Sequence, residues 1–423
     1  MAATPPPPLP RAIWALGFVS LLMDVSSEMI HSLLPVFLVV GLGASATQVG
    51  LIDGAAEALA LIVKVFSGAI SDAMGRRKPL ALLGYGLGAL SKPLFALAAG
   101  PFWVLGARLL DRLGKGIRGA PRDALVADIA PPAQRGAAFG LRQALDTVGA
   151  FLGPLIAIAL MLLWANDFRA VFAVAVVPAL LSVAVLWWGV HEPARPAIAA
   201  ASAAVSASPS PSASPSPTRI SPWRRDALAT LPRAYWWVVG IGTAITLARF
   251  SEAFLVLRLH QGGLALAWTP LVLVAMSAVY AAAAYPLGKL SDRVSATPLL
   301  IGGLLLLIGA DALLAWSPNG VIAWTGVALW GLHMAMTQGL LAAMVAASAP
   351  AALRGTAFGI FNLGCGLAML IGSVLAGVLW DRLGAPATFI ASAGFCLAAG
   401  LGLWLRRRWQ RSPAAPVPPP QRQ

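Results

Sequence analysis

The apolar positions of this chain fall in long unbroken runs, and polar residues interrupt them singly at helical spacing. Twelve runs of roughly 20 residues or more can be marked, at 12–40, 46–70, 79–98, 102–126, 134–163, 168–190, 233–258, 266–290, 298–316, 320–348, 355–379 and 386–405. At about 1.5 Å per residue each is long enough to cross a hydrocarbon core of about 30 Å. None alternates with period two and all are too long for barrel strands, so helices must satisfy the backbone hydrogen bonds. The pattern predicts an all-α polytopic membrane protein with twelve transmembrane helices.

Composition agrees: 59% of the residues are hydrophobic, 11% are charged and mean hydropathy is +0.79. Between the sixth and seventh runs lies "EPARPAIAAASAAVSASPSPSASPSPTRISPWRRD", whose Pro, Ser and Ala bias suits a flexible linker and not a packed core. The expected organisation is an N-terminal tail (1–11), a six-helix bundle (12–190), a linker (191–232), a second six-helix bundle (233–405) and a C-terminal tail (406–423). The first apolar run is too long for a signal-peptide core and lacks a cleavage signal, so it is expected to stay as a helix.

The formal charge of +14 raises the question of nucleic acid, but the basic residues outside the helices cluster in short loops beside apolar segments. Arg76, Arg77, Lys78, Arg135, Arg219, Arg224, Arg225, Arg293, Arg354 and Arg406 to Arg408 fall on one side of the predicted topology, with Arg382 as the exception. Both termini and the linker are therefore expected in the cytoplasm of a bacterium, with the bundle in its inner membrane and no nucleic-acid partner. Cys365 and Cys396 lie in apolar runs without metal-ligand spacing.

The two halves resemble one another. "GAISD" at 68–72 recurs as "GKLSD" at 288–292, and "RGAAFG" at 135–140 recurs as "RGTAFG" at 354–359. Internal duplication places a central cavity between the repeats, near the midplane.

The loop "GAISDAMGRRK" at 68–78 resembles the signature of the major facilitator superfamily, with Gly68, Asp72, Gly75, Arg76, Arg77 and Lys78 at matching positions. "RLGKGIRGAP" at 112–121 is similar to that superfamily's second motif, and Arg112 is the residue carried over. The resemblance implies alternating access, often proton-driven, with a conformational switch at Asp72 and its basic neighbours. "DVSSEMIHSLLPVFL" and "DRLGKGIRGAPRDAL" together look like a narrower bacterial branch that includes nickel-resistance permeases and metal or siderophore exporters.

The buried charges are the candidate chemistry. Asp24, Ser27, Glu28 and His31 project within about one third of the first helix's circumference. Asp53, Glu57 and Lys64 share one face of the second helix, and Arg108, Asp111, Arg112, Lys115, Arg118 and Arg122 share an arc of about 120° on the fourth. Arg142 and Asp146 form an i, i+4 pair on the fifth helix, and Arg249 and Glu252 an i, i+3 pair on the seventh. An ionised side chain at bilayer depth costs at least about 2.5 kcal/mol on insertion scales, so these groups must face one another or water.

Two readings follow. One is a structural salt-bridge network; the other is a cavity for proton coupling or substrate lined by Asp24, Glu28, His31, Asp53, Glu57, Arg108, Arg112, Lys115, Arg118, Arg142, Asp146, Arg249 and Glu252. Asp24, Glu28 and His31 also offer oxygen and nitrogen ligands to a divalent metal substrate. The positive stripe on the fourth helix suits an anionic or chelated solute instead. His333 lies near Met334 and Met336, whose expected role is packing.

No nucleophile motif, phosphate-binding glycine loop, haem motif or Walker sequence is present, which argues against an enzyme or a primary pump. The expectation is a secondary transporter without a cofactor, drawing on the proton motive force and acting as a monomer. It would export a divalent metal or metal chelate; the alternatives are an organic anion, siderophore or drug as substrate, or a membrane sensor of the same fold that moves nothing.

Overall fold

Apolar runs this long have one way to satisfy their backbone in hydrocarbon, and the computed structural model shows helices throughout. It describes residues 8–74, 76–192, 231–291, 293–317, 319–350 and 353–411. The first bundle comprises α1 (Arg11–Gly41), α2 (Ala46–Met74), α3 (Lys78–Ala96), α4 (Pro101–Ile129), α5 (Arg135–Leu163) and α6 (Phe168–Gly189). The second comprises α7 (Arg233–Gln261), α8 (Leu271–Ser291), α9 (Ala296–Trp316), α10 (Gly320–Ser348), α11 (Arg354–Leu383) and α12 (Ala385–Arg411). Most of the proposed linker, the outer parts of both tails and Gly75 lie outside the described residues.

Among the described residues, nine helical segments are long and apolar enough to cross a membrane. The three rods that fall short are α2, α3 and α4. These carry Asp53, Glu57 and Lys64, then Lys92, then the charged arc from Arg108 to Arg122. They are the helices whose charges the fold must shelter from lipid.

Three rods read as continuous in the sequence are broken. Pro35 has no N–H to give the His31 carbonyl, and α1 turns at Ser32 and Leu33 before resuming as Leu34–Val36 and a π turn, Phe37–Gly41. In α7 the helix stops at Ala248 and restarts at Ala253. The sequence repeats are offset by 219 or 220 residues, and that offset carries the α1 break onto the α7 break. A shorter interruption at Ala175 divides α6.

Within the first bundle α1 packs on α5 and α6, while α4 packs on α2 and α3; in the second, α9 packs on α10 and α12, and α7 on α11 and α12. The broadest contact between the bundles runs along α2 and α11. It depends on small residues: a Cβ at Gly54 would stand 3.0 Å from the Ser373 Cβ and 3.1 Å from the Leu370 Cα. At the end opposite the termini, Asp381 of α11 caps α2. Its carboxylate accepts the Ala46 N–H at 2.9 Å, the Thr47 N–H at 2.8 Å and the Thr47 hydroxyl at 2.6 Å.

Candidate functional site

The charged stripes on α1, α2 and α4 meet where the first bundle faces the second. Arg108 is 1% exposed and donates from Nη2 to Asp53 Oδ1 at 2.7 Å, with Glu57 Oε1 3.7 Å away. One turn further on, Arg112 Nη2 stands 3.0 Å from Glu57 Oε1. The i, i+4 spacing on both helices sets a ladder of two arginines against two carboxylates. His31 joins it from the last α-helical turn of α1, its Nδ1 lying 3.3 Å from Glu28 Oε2 and its Nε2 3.9 Å from Asp53 Oδ1.

The ladder also reaches the other bundle. The Ser251 hydroxyl, in the α7 break, donates to Asp53 Oδ2 and accepts the Ala253 N–H at 3.1 Å. The Ser251 N–H donates to Ser373 Oγ at 3.1 Å, and Ser392 Oγ lies 2.9 Å from the Ala248 carbonyl oxygen freed by the break. Glu252 follows, within electrostatic reach of Arg249 on its own helix and of His31, Glu57 and Asp53 across the interface. Lys115 is exposed although Glu57, Asp24 and Glu28 are its electrostatic neighbours, so this face of α4 borders open space.

A second cluster joins α1, α4 and α5. Arg122 donates from Nε to Asp123 Oδ1 at 3.1 Å, and Arg142 lies 3.8 Å from Asp123 Oδ1 and 3.7 Å from Asp146 Oδ2. Asp24 lies in the electrostatic field of Asp146 here and, like Glu28, in that of Lys115. The polar stripe of α1 thus borders both clusters. Glycines of α5 bring that helix close against the stripe: a Cβ at Gly149 would stand 3.1 Å from the Asp24 Cβ, and one at Gly153 would stand 2.9 Å from the Glu28 Cβ. Arg118 stacks on Tyr85, its guanidinium carbon 4.7 Å from the ring centroid.

The arrangement bears on the metal reading of Asp24, Glu28 and His31. Glu28 pairs with His31, and among the described residues no group of three or more His, Cys, Asp or Glu side chains is placed to hold a metal ion.

The 68–78 loop is held by its own partners. Arg77 Nη1 lies 3.0 Å from Asp128 Oδ2, and Glu192 accepts the Arg77 N–H at 2.6 Å and the Lys78 N–H at 3.2 Å. Lys78 Nζ donates to the Trp187 carbonyl at 2.7 Å, Gly68 approaches Ala120 of α4, and Arg76 is exposed. The side chain of Asp72 lies outside the described residues.

Sequence reasoning missed Lys92. It is 1% exposed on α3, where Nζ donates to Asp111 Oδ1 at 2.6 Å and to Ser27 Oγ at 3.0 Å. Its signal was a lysine between Ser91 and Pro93 in an otherwise apolar run. Ser251 and Asp381 were also missed, because neither has a charged neighbour at helical spacing pointing the same way.

The sequence profile of the Major Facilitator Superfamily matches residues 16–369 and 259–423. The chain belongs to the Major Facilitator Superfamily. It is thus a multi-pass membrane protein of a transporter family, and that family and fold are not those of enzymes. An uncharacterized MFS-type transporter of Methanocaldococcus jannaschii is 28% identical over 401 residues, covering 93% of this chain and 94% of that one. An uncharacterized protein of Mycobacterium tuberculosis is 31% identical over 375 residues, covering 88% and 87%. The multidrug resistance protein MdtH of Photorhabdus laumondii is 34% identical over 139 residues, covering 33% of this chain and 34% of that one. Among solved structures, the nucleoside transporter NupG superposes with a TM-score of 0.75 at 12% identity, over 94% of this chain and all of that one. A bacterial homologue of the lysosomal transporter Spinster, inward-facing and unoccupied, gives 0.70 at 16% identity over 96% and 98%. At these identities both report a shared superfamily fold.

Proposed function

We propose that this superfamily member is a proton-coupled exporter of a small organic solute, set in a bacterial inner membrane with both termini in the cytoplasm and working as a monomer by alternating access. One observation carries the reading: Asp53 touches Arg108 and Ser251 at once, so the ion pairs of the first bundle end on the broken helix of the second. A change of charge in that ladder must act on the contact between bundles, which is what coupling requires. Asp24 lies in the electrostatic field of Asp146, and such neighbouring carboxyl groups are the candidates for carrying a coupling proton. The partial likeness to MdtH supports export, and the basic loops support the orientation. An organic solute is favoured over a bare divalent metal because Asp24, Glu28 and His31 supply no common ligand set.

The test is solute movement in proteoliposomes of the full chain under an imposed pH gradient, with a lumenal pH dye as the second readout. A panel of organic solutes is run beside nickel, cobalt, iron and zinc. Solute-dependent proton movement in the wild type, lost in Asp24→Asn, is the expected result. Metal flux in the wild type would restore the metal reading. Solute binding with no flux under any gradient would favour the sensor.

A further inference from the structure

The second bundle contains a cavity that none of the charged stripes predicts. Its volume is about 320 Å³, at the small end of the range for small-molecule sites, and α7, α10 and α11 enclose it. Leu61 of α2 closes it from the first bundle, so whatever fills it touches both halves.

Two of its polar groups are already paired, the Thr246 hydroxyl with the Gly242 carbonyl and the Thr337 hydroxyl with the His333 carbonyl, and others are not. His333 is fully buried, and its Nδ1 lies 2.8 Å from the Gly303 carbonyl oxygen. A carbonyl only accepts, so Nδ1 carries the hydrogen and Nε2 keeps its lone pair. Nε2 is buried without a partner, on a side chain that lines the cavity. Arg249 lines the same space, and among the described residues its guanidinium makes no hydrogen bond and has no carboxylate within 4.0 Å. The side-chain amides of Gln338 and Asn362 add donors, and Phe358 and Phe361 supply apolar wall.

A buried acceptor left without a donor loses the hydration it had in water and gains nothing in return. A ligand that brings a donor to His333 and an anion to Arg249 would satisfy both at once. The aromatic wall would take its apolar body.

We infer that this cavity binds an amphiphilic organic carboxylate bearing an N–H or O–H donor apart from its carboxylate, with the anion on Arg249 and the donor on His333 Nε2. This deepens the transport reading and rests on it only for the claim that the bound molecule is carried. The acceptor sets the ligand's selectivity and the cation its charge.

The test is equilibrium binding to the purified full chain in nanodiscs, by calorimetry, with three probes of similar size. Indole-3-acetate has both the carboxylate and the N–H, 1-naphthaleneacetate lacks the N–H, and tryptophol lacks the carboxylate. The wild type should bind indole-3-acetate at least about tenfold tighter than either of the others. His333→Asn keeps a donor for Gly303 and deletes the Nε2 acceptor. It should weaken indole-3-acetate about tenfold and leave 1-naphthaleneacetate unchanged, while Arg249→Gln should weaken both carboxylates. Equal affinity for all three probes, or no binding of any, would overturn the inference. So would a His333→Asn effect that falls equally on both carboxylates, since that marks a structural change. If His333→Asn does not fold, the Arg249→Gln comparison and the wild-type ranking still decide. Binding as expected with no gradient-driven flux would leave the cavity standing and remove coupled transport. Proton-coupled flux of another solute with no carboxylate binding would do the reverse.

Discussion

Ser251 gives its hydroxyl hydrogen to Asp53, and through that bond the break in α7 is tied to the most charged surface of the other bundle. The same break leaves Arg249 facing a cavity and Glu252 facing the ladder, so three consecutive functions lie within four residues. Discontinuous helices near the midplane of transporters expose backbone polar groups only where side chains or a cavity receive them, and both breaks here follow that rule.

Ser251→Ala should loosen the two bundles without unfolding either. Asp53 keeps Arg108, so the loss across the interface is one charge-assisted hydrogen bond, about 1.5 to 3 kcal/mol in its own right, beside the Ala253 N–H that the hydroxyl also accepts. Spin labels across the α2 and α11 ends should then report a shift of about tenfold or more between conformers. An unchanged distance distribution would mean the bond does not hold the bundles in this arrangement.

Asp53→Asn should cost far more stability than Ser251→Ala. Arg108 would remain buried with only the more distant Glu57 for charge, and a buried charge stripped of its partner costs about 3 to 5 kcal/mol. Thermal unfolding in detergent should show a large drop, recovered in part by Asp53→Asn with Arg108→Gln. Additive losses in the double variant would show that the two residues do not act as a pair.

The same logic applies to Lys92, and there it tests a residue that pattern reading passed over. Lys92→Met leaves Asp111 buried with only Arg112 and Arg108 for neighbouring charge, with an expected loss of about 3 to 5 kcal/mol; adding Asp111→Leu should restore most of it. If the single substitution is silent, the pair is held by Ser91 and the neighbouring arginines instead.

Helix number and the charged faces of α2 and α4 were legible because each is a repeating pattern of 3.6 residues read against hydrocarbon. Arg108, Arg112, Asp53 and Glu57 meet because their spacing on two helices matches. The stripe of α1 was legible as a stripe but its packing was not, since that depends on Gly149 and Gly153 of a helix more than a hundred residues away. Lys92, Ser251 and Asp381 each act through tertiary partners on other helices, and such partners leave no period in the sequence. The α1 break follows from Pro35, whereas the α7 break has no proline and is stabilised by Ser251, Ser373 and Ser392.

Asp381→Asn should open the end opposite the termini more often. It removes a charged cap from two backbone N–H groups of α2 and weakens the bond to Thr47, a loss of about 1 kcal/mol or somewhat more. A cysteine placed at Gln48 and probed with a membrane-impermeant thiol reagent in a background of Cys365→Ala and Cys396→Ala should react several-fold faster when Asp381 is replaced. Equal rates would place the closing energy in the apolar α2 and α11 contact alone.

Glu252→Gln should tighten carboxylate binding in the second bundle. Arg249 lines the cavity and lies in the electrostatic field of the Glu252 carboxylate, so an incoming anion competes with a resident one for the same guanidinium. Removing the resident charge should raise indole-3-acetate affinity roughly threefold to tenfold and leave tryptophol unaffected, because only the carboxylate feels the change. The Asp53 and Arg108 pair is untouched by this substitution, so stability should hold. A gain shared by tryptophol would point to a change of cavity shape, whereas a gain confined to the carboxylates would place Glu252 as the group through which solute binding is sensed by the ladder of the first bundle.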